Sequence, residues 1–180
     1  MSENRPQQQS EAMTSLQQVC AHFAATTAQH GGRQLAGDAS PLTRNLLFTI
    51  HRQQIALDWQ LQRLATGKIR PRLRHILHWA MAENYWLNAL PAPVISDIAV
   101  SYTKRKCTAA ESGFVNALLR HLWAEAPDLP ALEQKLQAAP AAVRLRLPHK
   151  RVVRVFQKIL KFDQMTKFFQ TVPSFYLCLF

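Results

Sequence analysis

Two histidines three residues apart, His75 and His78, could present a pair of metal ligands to one side of a helix. No third ligand follows them in an arranged way. They read as ordinary, partly exposed histidines, and no metal is expected. The three cysteines, Cys20, Cys107 and Cys178, lie far apart, form no CxxC and are odd in number. That argues against a disulfide framework or a zinc site and for a reducing cytoplasmic setting. Cys107 follows Lys104, Arg105 and Lys106, where positive charge would favour its thiolate. A small residue at a helix boundary is the plainer reading. The acidic residues are scattered, with no pair set as acid and base. The five glycines form neither GxGxxG nor a P-loop, so no backbone cradle for a cofactor phosphate is present. The expectation is a protein that is not an enzyme and holds no cofactor.

The basic residues are more informative. Between Asp58 and Glu83 no acid occurs, while Arg63, Lys68, Arg70, Arg72 and Arg74 accumulate. Lys104, Arg105 and Lys106 form a second cluster. Lys150, Arg154, Lys158 and Lys161 form a third, at helical spacing. With a net charge of +11, these clusters imply an anionic partner: RNA, DNA or an acidic membrane surface. Convergent Lys and Arg bind phosphates by releasing counterions, with no need to read sequence. Behind the arginines come Trp79, Tyr85 and Trp86. Exposed rings would stack on bases, but aromatics at helical spacing more often build a core. The arginines are therefore assigned to phosphate and the tryptophans to the core. The segment around 149–161 has an apolar face opposite its charges, which suits a membrane surface or, as the preferred reading, docking on a neighbouring domain.

Five to six helices are expected to position these groups. Residues 1–10 are polar and glutamine-rich and are expected to be disordered. Met13, Leu16, Val19, Cys20 and Phe23 recur at helical spacing, with Gly31 and Gly32 as a stop. Ser40 and Pro41 open the second helix as N-cap and first residue. Pro71 opens the third and Pro93 the fourth, which closes on Lys104–Lys106. Thr108 and Glu111 have capping-box spacing for a fifth, its apolar face being Phe114, Val115, Leu118, Leu119 and Leu122. A short sixth helix spans about 128–138. Beyond it a basic helix (149–161), a short helix (163–170) and a strand over "SFYLCLF" are expected. The expected fold is all-α: an antiparallel helical bundle over 11–140, then a basic linker over 141–180. No uninterrupted apolar run is long enough to cross a bilayer.

The stretch "KIRPRLRHILHWAMAENYWLNALPAPVISDIAVSYTKR", followed by "ESGFVNALLRHL", resembles the NusB-like domain shared by transcription antitermination factors and a group of rRNA methyltransferases. "GFVNALLR" is its most specific element, and the likeness covers about 11–125. Antitermination members bind RNA with an arginine-rich N-terminal segment, where this chain has only Arg5 before Arg33. The tail, "LRLPHKRVVRVFQKILKFDQMTKFFQTVPSFYLCLF", resembles the linker of small-subunit rRNA cytosine-5 methyltransferases of the Fmu/Sun type, where it leads into the catalytic half. Those enzymes need a glycine-containing S-adenosylmethionine loop and a cysteine after proline. Here Val19, Lys106 and Leu177 precede the cysteines. The resemblance thus implies a non-catalytic RNA-binding module, with small-subunit rRNA as partner. Arg63, Lys68, Arg70, Arg72, Arg74, Lys104, Arg105 and Lys106 are the expected phosphate contacts. The alternative it leaves is an interaction or antitermination module docking on a ribosomal protein or a separate methyltransferase half.

Overall fold

A computed structural model describes residues 5–28, 39–65 and 67–139. The chain divides into two units, Met1–Leu147 and Pro148–Phe180, and every described residue lies in the first. The elements expected beyond residue 140, the stripe at 150–161 and Cys178 lie outside the described residues, as do Gly31 and Gly32.

The described residues form six α-helices joined by loops, as the sequence leads one to expect: α1 (Arg5–Ala28), α2 (Pro41–Leu64), α3 (Pro71–Ala82), α4 (Ala92–Lys106), α5 (Ala109–Glu125) and α6 (Leu129–Gln137). Their starts are set by local chemistry. The Ser40 hydroxyl accepts from the Thr43 N–H ahead of α2. Thr108 and Glu111 complete a capping box on α5, with the Glu111 N–H donating to Thr108 Oγ1 at 3.2 Å and the Thr108 N–H donating to Glu111 Oε2 at 2.9 Å. Asp128 caps α6 through the Ala131 N–H at 2.9 Å. Each such cap satisfies donors that have no partner inside the helix.

Two features depart from expectation. Helix α1 begins at Arg5, inside the segment expected to be disordered, and Gln7 donates to Glu11 one turn on. Glutamine is a good helix former, and Pro6 is tolerated in a first turn. Between α3 and α4, Glu83–Leu87 winds as a single π-turn, closed by Asn88 at φ 50°.

Contacts at both ends orient α3, α4 and α5. Arg72 at the start of α3 donates to the Lys106 carbonyl at the end of α4, and Arg70 pairs with Glu111 at the start of α5. At the other end, Tyr85 Oη donates to the Ala126 carbonyl at 2.8 Å and Trp123 Nε1 to Ser96 Oγ at 2.9 Å. So α3 and α5 run the same way with α4 reversed beside them. Helices α1 and α2 also pack on α3. Trp79 is fully buried at this junction, and its indole N–H donates to Ser15 Oγ of α1 at 3.1 Å. Leu16, Leu46, Leu57, Ile76, Leu77, Ile95 and Leu119 share the same core.

Replacing Trp79 with Ala is expected to cost about 3–5 kcal/mol, as for other buried aromatics. Trp79→Phe should cost less, leaving the Ser15 hydroxyl without its donor. Urea unfolding of the three proteins measures both. Thr108→Ala should cost about 1 kcal/mol by removing the α5 cap.

Candidate functional site

The eight cations expected to face phosphate do not form one surface. The Arg63 guanidinium pairs with Glu125 at the end of α5 and lies over the Trp59 ring, 5.7 Å from its centroid. Arg70 pairs with Glu111 at the start of α5. Glu111 and Glu125 are fourteen residues apart on one helix, about 21 Å at ~1.5 Å per residue. Arg63 therefore belongs to the opposite end of the bundle. Arg74 pairs with Asp58 of α2, its Nε 3.5 Å from Oδ1, with part of its side chain still exposed.

The remaining six converge. Arg72 Nη1 lies 2.9 Å from the Lys106 carbonyl and joins the first cluster to the second. Lys68 and Arg70 sit on the extended connection into α3, while Lys104, Arg105 and Lys106 end α4. Arg105 donates to the Ser101 carbonyl and lies 2.9 Å from Met13 Sδ of α1. The side chains of Lys68, Lys104 and Lys106 are exposed, and none forms an ion pair with another described residue. Arg70 keeps 75 % of its side chain exposed despite its partner, so its outer nitrogens remain open to a ligand. Helix α3 begins without a side-chain cap, and its first-turn N–H groups add positive potential at the same end.

Glu111 supplies the carboxylate at this pole. The Thr108 N–H, then the Thr108 hydroxyl and Arg70, hold it below the ordinary carboxyl range. Beside it stands a side chain that the helical period assigns to the core. Phe114, one turn further along α5, is 39 % exposed, because the buried stripe is Val115, Leu118, Leu119 and Leu122. Its period alone gives no signal of this. Its position three residues after Glu111 does place it near the arginines.

The aromatic and histidine expectations divide. Trp79 is core, and Trp86 packs partly buried against it. His78 is not partly exposed, as expected, but buried, with Nε2 2.9 Å from Asp58 Oδ1. Burial opposes a charged Asp58, yet the hydrogen bond and charge of His78, with Arg74 and His75, together hold its pKa below the usual value. His75 stacks on Phe23 with ring centroids 4.6 Å apart. The two histidines thus serve different contacts. Among the described residues, no group of three or more His, Cys, Asp or Glu is placed to hold a metal. Cys20 is buried, which pushes its thiol up to about 12, and Cys107 is partly buried at the α4 boundary. No helix among the described residues is long and apolar enough to cross a membrane.

The described residues thus form an all-helical bundle with a cluster of cations at one end. Residues 6–123, more than half of the sequence, match the model of the NusB family, and the chain belongs to that family. Domains of this family bind RNA and partner proteins. No curated protein and no solved structure matches the chain.

Burial, then the charges of His78 and Arg74, depresses the His75 pKa to about 4. The folded state therefore favours neutral His75. Its contribution is full above the ordinary histidine value of about 6.5 and is lost as pH falls through about 4. Thermal melts between pH 7 and 4 should show His75→Phe, which keeps a ring against Phe23, losing less stability on acidification than the parent.

Proposed function

We propose that this chain is a non-catalytic RNA-binding module whose phosphate contacts are Lys68, Arg70, Arg72, Lys104, Arg105 and Lys106. The observation that carries the reading is the Arg72–Lys106 contact, which brings two sequence-distant basic clusters to one pole. Three lysines there have no ion-pair partner among the described residues, and counterion release from such groups supplies affinity without base readout. Exposed Phe114 beside the pole adds a ring on which an unpaired base can stack, which favours single-stranded or looped RNA over a regular duplex. Arg63 and Arg74 take no part, since both are committed to carboxylates elsewhere.

The narrower reading is small-subunit rRNA, with the chain resembling the N-terminal domain of an rRNA cytosine-5 methyltransferase. The resemblance of the tail sequence supports it. A second reading, a protein partner such as a ribosomal protein or a methyltransferase half, is favoured by the same exposed Phe114, because an apolar ring next to charge also suits a protein interface.

Binding of a structured small-subunit rRNA fragment and of duplex DNA of equal length, each across a salt series, tests the proposal. RNA should be preferred at every salt concentration. Substituting Lys68, Lys104 and Lys106 together with Ala should weaken binding and lower the magnitude of the salt slope by about 2, at ~0.7 for each phosphate no longer neutralised. Arg63→Ala should leave binding unchanged. Equal, weak binding of both nucleic acids that vanishes with salt would reject the RNA reading in favour of a protein partner.

A further inference from the structure

The π-turn between α3 and α4 carries three consecutive buried polar residues, and they are treated unequally. Asn84 Nδ2 donates to the Pro127 carbonyl at 3.2 Å, and Tyr85 Oη donates to the Ala126 carbonyl at 2.8 Å. Both fasten the turn to the link between α5 and α6. The Asn88 N–H closes the backbone onto the Glu83 carbonyl at 2.7 Å. Glu83 is 1 % exposed, and its Oε2 is shielded from solvent with no hydrogen-bond partner among the described residues. A carboxylate in that position would be a buried, unpaired charge, which costs several kcal/mol unless the group is neutral.

We propose that Glu83 is a proton-held hinge: the π-turn keeps its buried packing while this carboxyl carries its proton, and loosens when the proton leaves. Burial alone pushes the group up to about 7. None of the charged groups on the elements around the turn contributes to that shift, whether Asp58 of α2, Arg74 and His78 of α3, Asp97 of α4, or Asp128, Glu133 and Lys135 at α6. A carboxyl with its pKa raised in the folded state gives its full stabilisation below the ordinary value of about 4.5. That stabilisation declines as pH rises and is gone above about 7. His75 works in the opposite sense, so wild type alone does not separate the two. The comparison with Glu83→Gln, which keeps the shape and removes the proton equilibrium, does.

The test uses the full chain with carbon-13-labelled glutamate side chains. One carboxyl resonance should titrate near pH 7 and be missing from Glu83→Gln. In thermal melts, the advantage of Glu83→Gln over wild type should grow by several degrees between pH 5 and pH 8. If every glutamate titrates in the ordinary range, or if the melting difference is the same at both pH values, the hinge is wrong and Glu83 is merely packed. Should Glu83→Gln fail to fold, the wild-type titration decides alone. The inference stands or falls independently of RNA binding.

Discussion

The buried indole of Trp79 is the contact on which the rest of the arrangement depends. It is fully enclosed, and its N–H reaches Ser15 on α1. Helix α3, which carries it, touches α1, α2, α4 and α5. The ring thus sits on the helix where several elements meet, and its hydrogen bond joins the contacts of Thr43 with Gln18 and of Arg105 with Met13 in tying α1 to the other helices. A side chain of this size tolerates few alternatives, because interiors are packed to crystal density. At the other end of the same helix, Arg70 and Arg72 meet the α4–α5 junction through Glu111 and the Lys106 carbonyl.

Charge is distributed with the same economy. Both glutamates near the ends of α5 are engaged, Glu111 by Arg70 and Glu125 by Arg63 and Lys135. Arg63 holds Glu125 below the ordinary carboxyl range, with help from Lys135. Inside the bundle, Asp58 is placed against His78 and Arg74, so a partly buried carboxylate has compensation from two side chains of α3. Lys68, Lys104 and Lys106, gathered at one end, have no ion-pair partner among the described residues.

Much of the fold was legible because helix starts are written locally. Ser40 before Pro41, Thr108 before Glu111 and Asp128 before Pro130 each pair a cap with a helix former, and each begins a helix where expected. The π-turn was not legible, since it follows directly on an α-helix whose apolar stripe gives no warning. Nor was the burial of His78: an imidazole at helical spacing looks the same whether it faces water or an aspartate twenty residues earlier. The candidate site divided on the same ground. Runs of Lys and Arg pointed to the pole, but whether an arginine faces out or meets a carboxylate is a tertiary fact. It separated Arg74 from Arg72 and placed Arg63 at the far end. Phe114 sits at the margin of a stripe that proved narrower than its period implied.

The capping box on α5 has a consequence for what the pole will accept. Glu111 is fixed by Thr108 as well as by Arg70, so an incoming phosphate that draws Arg70 away leaves the carboxylate in place. The surface thus contains its own fixed anionic competitor. A lone phosphate must displace it for the gain of one or two contacts, and its net gain is small. A polymer that presents several phosphates in step reaches Lys68, Lys104 and Lys106 at the same time and overcomes the competitor once for all of them. On the RNA reading proposed above, the pole therefore selects by valency, favouring chains over free nucleotides and inorganic ions, although no side chain in it recognises length.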